Sequence, residues 1–102
     1  MTDLLRVERS GPNDAVARVT LARPEVHNAF NASLIAELRQ TFTLLGREGP
    51  TDLRVVVLAG DGPSFCAGAD IDWMRAAMRL DVEANEQDAM AFADTLEAID
   101  TC

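Results

Sequence analysis

Apolar positions alternate near the start of the chain and then recur at helical spacing, and this change of period marks out the elements. Ala15, Ala17, Val19 and Leu21 alternate with Val16, Arg18 and Thr20, the pattern of a strand with one face better buried than the other. Leu4 to Glu8 is a second strand candidate, and Ser10-Gly11-Pro12-Asn13-Asp14 between the two is a turn-forming cluster, so together they predict a hairpin. Arg23-Pro24 ends the second strand, because proline gives the ladder no N–H and restricts the residue before it. Leu34, Ile35, Leu38, Phe42 and Leu45 then line one face of a helix that Asn31 can cap and Gly49-Pro50 stops.

Val55 to Ala59, bounded by Gly60, reads as a buried strand, although so short a run is not separated from a buried helix segment by periodicity alone. With the preceding helix it makes a strand-helix-strand unit, whose crossover between parallel strands is right-handed in nearly all cases. The pattern gives an α/β domain. Ile71 to Met78 predicts a short helix and Val82 to Ile99 a longer one, with Ala89, Phe92, Ala93, Leu96 and Ile99 at helical spacing. Trp73, Met74 and Met78 are expected in the core or a pocket wall, since such side chains fill irregular apolar gaps. Asp81, Glu83, Glu86 and Asp88 read as a solvated first turn and helix face.

The most informative stretch joins the third strand to the short helix. Gly60, Gly62 and Pro63 impose a turn, and Ala67, Gly68 and Ala69 leave the backbone bare before a helix opens near Asp70. Peptide N–H groups of such a loop point outward in a field that favours negative charge. Three readings fit: a merely tight connection, a phosphate site, or an oxyanion hole whose N–H groups meet an oxygen as it gains charge. The phosphate reading is poor, because the chain contains no lysine for a P-loop and Phe65 stands where a G-x-G-x-x-G counted from Gly60 needs its third glycine.

Composition narrows the partners. A chain of 102 residues with 48% hydrophobic and 25% charged residues is one globular domain or part of one. As a free-standing domain it would bury only about 60 to 70% of its unfolded surface. Its net charge of -8 disfavours nucleic acid and anionic membrane. Asp3, Arg6, Glu8 and Arg9 break up the first ten residues, so neither a signal peptide nor a membrane span is expected, and a cytoplasmic location is the default. Cys66 and Cys102 give no disulfide framework and no metal-ligand spacing, and Cys66 reads as a small packing residue. The single histidine, His27, has no nucleophile motif beside it and reads as structural or solvent-facing. Asp70 and Asp72, two apart, would not share a helix face and make no acid/base pair.

The run Ser64-Phe65-Cys66-Ala67-Gly68-Ala69-Asp70-Ile71, with Arg23-Pro24 and Asn28-Ala29-Phe30 upstream, resembles the enoyl-CoA hydratase/isomerase (crotonase) superfamily, and the resemblance covers essentially residues 1–102. Within it, Ala67 to Met74 followed by Leu80-Asp81 and Asn85 looks most like methylglutaconyl-CoA hydratases of leucine breakdown. The resemblance implies the N-terminal part of a crotonase-like ββα spiral, with residues 1–102 one portion of a single domain whose remainder is absent. It implies a hydro-lyase that adds water to a 2-enoyl-CoA through an enolate held by two backbone N–H groups, one of them that of Ala69 and the other from a later glycine. Two later glutamates would activate the water, so the 102-residue chain alone is expected to be inactive and to expose apolar surface.

By the same resemblance Arg23, Val26, His27 and Asn28 line coenzyme A, largely through backbone, while Ala67, Gly68, Ala69, Asp70 and Ile71 border the thioester, with Asp70 supporting the hole from the helix start. Coenzyme A enters as part of an acyl-CoA substrate, with no separate cofactor and no metal. Because coenzyme A is itself an anion, local arginines or backbone groups must receive it despite the acidic chain. A parent homotrimer or hexamer is implied. The alternative is a noncatalytic acyl-CoA-binding or interaction module derived from the same fold.

Overall fold

The computed structural model describes residues 4–49, 52–68, 70–79 and 82–102. Pro50, Ala69, Leu80 and Asp81, on which parts of the sequence reading rest, lie outside them. Three strands, β1 (Leu5–Ser10), β2 (Val16–Leu21) and β3 (Val55–Gly60), form one sheet in the order β1-β2-β3. Three helices accompany them: α1 (Ala32–Leu45), α2 (Ile71–Ala77) and α3 (Val82–Asp100).

β1 and β2 pair antiparallel as the expected hairpin, with Val7 opposite Val19. Its connection is a 3-10 turn over Pro12–Asp14 in which Asn13 and Asp14 adopt left-handed φ values of 56°. Such φ values suit Asn and Asp, whose short polar side chains tolerate them. Arg9 braces the turn by donating to the Asp14 carbonyl at 2.9 and 2.7 Å, while its guanidinium also meets the Glu48 carboxylate at 2.8 Å.

β2, α1 and β3 form the strand-helix-strand unit, β3 pairing parallel to β2 with Val19 beside Leu58. Asn31 caps α1 as expected, its side-chain oxygen accepting from the Leu34 N–H at 2.9 Å. The helix buries the five residues read from its period, Leu34, Ile35, Leu38, Phe42 and Leu45. Four of these pack on Ala17, Val19 and Leu21 of β2, and this contact is the centre of the core.

α3 lies on α1 with a different face inward from the one its apolar spacing suggested. Ala89, Ala93 and Leu96 are exposed, and the inward side is centred on Thr95, which is 1% exposed. Its hydroxyl donates to the Ile35 and Ala91 carbonyls at 3.1 and 2.9 Å, so a polar residue is buried with its hydrogen bonds made. Phe92 and Ile99 remain on the packed side, Phe92 edge-on to Phe30 and Trp73 at centroid distances of 5.5 and 6.1 Å.

α2 corrects a further expectation. Trp73 is partly buried, but Met74 and Met78 are 52% and 84% exposed, so of the two places expected for them the core formed by the described residues is ruled out. No described helix is long and apolar enough to cross a membrane.

Candidate functional site

The site is built where two connections meet: residues 22–31, leaving β2, and residues 61–70, leaving β3. Because β2 and β3 are parallel neighbours, both connections leave the same end of the sheet. The Asp61 N–H extends the pairing by donating to the Leu21 carbonyl at 2.9 Å.

The first connection folds on itself. A 3-10 turn over Pro24–Val26 ends in His27 and Asn28, both left-handed at φ 53° and 59°. The Asn28 N–H donates to the Arg23 carbonyl and the Arg23 N–H to the Asn28 side-chain oxygen, each at 2.8 Å, which closes a ring around Pro24. The Asn28 side chain is wholly buried, and its amide nitrogen donates to the Asp61 and Ser64 carbonyls at 2.9 Å each.

The second connection is laced to the first by backbone bonds. The Ala67 N–H donates to the His27 carbonyl at 2.9 Å, the Phe30 N–H to the Gly68 carbonyl at 2.7 Å, and the Asp70 N–H to the Phe30 carbonyl at 2.7 Å. Gly60 permits this close approach, since a Cβ there would clash with the Phe65 carbonyl and stand 2.8 Å from the Asn28 amide nitrogen. Gly68 turns outward at φ +90°, and a Cβ built on it would meet nothing within 4 Å, so the loop's outer side is open.

Asp70 finishes the loop and starts α2. Its carboxylate accepts from the Trp73 N–H at 3.1 Å and from the Arg23 guanidinium at 3.1 Å, while Arg23 also donates to the Ala29 carbonyl. The Trp73 N–H first, with Arg23 adding to it, holds the Asp70 carboxyl below the ordinary aspartate range. Across the loop Arg6 forms a two-pronged pair with Asp61 and lowers that carboxyl in the same way.

The expected site residues therefore fall into two groups. Arg23, Asn28 and Asp70 point their side chains into the loop's framework, whereas Val26 and His27 stand beside it, His27 exposed with its Nδ1 3.1 Å from the Ser64 hydroxyl. Ala67 and Gly68 supply loop backbone, Ile71 is the exposed first residue of α2, and Ala69 lies outside the described residues. Cys66 packs against the core. The side-chain contacts of Asn28 were not foreseen in the sequence; the available signal was an Asn at a turn, a residue suited both to left-handed backbone and to bridging backbone groups. A cleft of about 530 Å³ between α1 and α3 is separate from the loop, with Ile35, Arg39, Thr43 and Thr95 among its walls.

Comparison with known proteins gives the arrangement its relatives. A profile of the enoyl-CoA hydratase/isomerase family matches residues 11–102. A Rhodobacter capsulatus protein named probable enoyl-CoA hydratase is 35% identical over 91 residues, covering 88% of this chain and 32% of that protein. The Mycobacterium bovis protein named probable enoyl-CoA hydratase echA6 is 43% identical over 58 residues, 57% of this chain and 23% of its own length. The crystal structure of an enoyl-CoA hydratase from Shewanella pealeana superposes with a TM-score of 0.86 at 32% identity, covering 95% of this chain and 35% of that one. The chain thus spans about a quarter to a third of the length of these relatives, and its α/β architecture is part of the crotonase-type fold. With the profile matched over nearly its whole length, the chain belongs to the enoyl-CoA hydratase/isomerase family.

Proposed function

We propose that the loop from Cys66 to Asp70 receives the thioester carbonyl of an acyl-CoA, and that the protein acts as part of an enoyl-CoA hydratase. The observation that carries this is the use of the loop's donors. The Ala67 and Asp70 N–H groups on either side are engaged with residues 27–30, and the Gly68 N–H has only a 3.4 Å contact with the Cys66 sulfur. The Gly68 N–H, on the open side of the loop, is thus the described donor best placed to meet an oxygen. In this reading the Ala69 N–H is the main donor, and negative charge developing on the carbonyl oxygen gives an enolate while water adds across the double bond, hydroxyl at C3 and proton at C2.

Coenzyme A would run past Arg23, Val26, His27 and Asn28, held by backbone groups, because the guanidinium of Arg23 is already committed to Asp70 and Ala29. Methylglutaconyl-CoA is the proposed substrate, supported by the run from Ala67 to Met74. The chain by itself is proposed not to catalyse hydration. The two carboxylates that bracket the loop, Asp61 and Asp70, are both tied to arginines, so neither is free to take a proton from water. This same observation favours the second reading, an acyl-CoA-binding module without turnover.

Titration of the chain with acetoacetyl-CoA, followed through backbone amide resonances, tests the proposal. Shifts are expected at Gly68, Ala69 and residues 26–28, with β3 and α3 unmoved; a ligand that leaves Gly68 and Ala69 unshifted would refute the carbonyl site. Mixed with a 2-enoyl-CoA, the chain is expected to give no hydration above background, and a measurable rate would overturn the assignment of inactivity.

A further inference from the structure

We propose that Asn28 is the positioning residue of the loop, acting through its buried side chain and not by touching substrate. Every hydrogen-bonding group of its amide is used: the oxygen accepts from the Arg23 N–H at 2.8 Å, and the nitrogen donates to the Asp61 and Ser64 carbonyls at 2.9 Å each. These two carbonyls belong to the first half of the loop, and turning them inward fixes how the second half leaves toward Gly68. The backbone on either side of Asn28 carries the second half's anchors, because the His27 carbonyl receives the Ala67 N–H and the Phe30 groups pair with Gly68 and Asp70. One side chain thus ties both halves of the loop to one strip of backbone.

The position admits few replacements. At φ 59° a residue must tolerate left-handed backbone, which glycine, asparagine and aspartate do best. Glycine has no side chain to give. Aspartate has the right shape, but it would present lone pairs to two carbonyl oxygens and leave a charge fully buried. Glutamine is one carbon too long for a site already closed by Gly60, where a Cβ would come within 2.8 Å of the amide nitrogen. Only asparagine meets the backbone, donor and size requirements together.

What the positioned N–H groups receive rests on the acyl-CoA reading; the positioning itself does not, and hydrogen exchange of the chain without ligand tests it separately. In the unaltered chain the Ala67 and Asp70 amides are expected to exchange nearly as slowly as that of Leu38 in α1. If they exchange through fast local openings instead, the proposal fails. In Asn28→Gly, which keeps the backbone conformation, Ala67 and Asp70 are expected to exchange at least tenfold faster relative to Leu38. Thr95→Val, which loosens α3 on α1 away from the loop, should leave that ratio unchanged. An unchanged ratio in Asn28→Gly would overturn the positioning role.

The affinity for acetoacetyl-CoA, where the unaltered chain binds it, should fall at least tenfold in Asn28→Gly and not in Thr95→Val. Loss of loop protection without loss of affinity would refute the carbonyl reading and leave the positioning intact. If Asn28→Gly fails to fold, the unaltered chain's exchange decides the matter alone.

Discussion

Asp70 joins three segments through one carboxylate: it caps α2 at the Trp73 N–H, pairs with Arg23 from the other connection, and follows the loop directly. Since its folded pKa lies below its unfolded one, its contribution to stability is complete above the ordinary aspartate value of about 3.9 and is lost as pH falls through the folded value. Asp61, held low by Arg6, and Glu48, held low by Arg9, act with the same sign. The melting temperature is therefore expected to drop as pH is lowered below about 4. Asp70→Asn keeps a good capping oxygen but removes the charge facing Arg23, so it should melt lower at neutral pH and show a shallower acid slope. A slope equal to that of the unaltered chain, measured by circular dichroism across this range, would remove Asp70 from the acid-sensitive set.

Among the elements, α1 does most to hold the sheet, and its contributions separate cleanly. Leu38, 1% exposed against β2, is expected to cost about 2 to 5 kcal/mol on truncation to Ala, whereas Asn31→Ala, which removes only the cap, should cost about 1 kcal/mol. Chemical denaturation of the two variants checks the order, and an Asn31→Ala loss as large as that of Leu38→Ala would contradict it. α1 was also the most legible element in the sequence, because one apolar stripe and one cap both point to the same face. The hairpin was legible because alternation and turn residues agree, and β3 was legible as a strand but not as the buried one expected: Val56 and Leu58 pack toward the core, while Val55 and Val57 are 50% and 37% exposed on the other face.

α3 was not, and the cause is physical. Its apolar residues are spread around the helix, and the face that packs is centred on Thr95, whose hydroxyl is shared between the Ala91 carbonyl of its own helix and the Ile35 carbonyl that α1 supplies. Periodicity counts apolar side chains and gives a satisfied polar one no weight. The spacing of Met74 and Met78 does not separate core from exposed surface, because methionine suits either, and the core placement is the one their exposure rules out. At the site, the small-residue loop and the Asp70 cap were readable as local chemistry. The Asn28 clamp was not, since its partners lie 33 and 36 residues away and only the β2-α1-β3 crossover brings them together.

At the scale of the whole molecule, α1 covers one face of the sheet, and among the described residues the other face is covered unevenly, closed over Thr20 of β2, which is 3% exposed, and open along β3. Residues Ala17, Val19 and Leu21 of β2 face α1, while Val55 and Val57 of β3 fall on the opposite side of the sheet, 50% and 37% exposed. β3 is also an edge among the described residues, since the strand order ends there and no described strand pairs with its other side. An exposed edge strand carrying β-branched apolar residues is a template for pairing with another chain. The chain is therefore expected to self-associate as its concentration rises, with weight-average mass in sedimentation increasing accordingly. Replacing Val55 and Val57 together by Thr keeps the branched shape that suits a strand while making the face polar, so the double variant should stay monomeric to higher concentration with its circular dichroism spectrum unchanged. Arg18, paired beside Val57 across the ladder, already shows a polar side chain on this face of the sheet. Equal association of the double variant and the unaltered chain would place the contact elsewhere, and the exposed Met90 and Leu96 of α3 would be the next surface to alter.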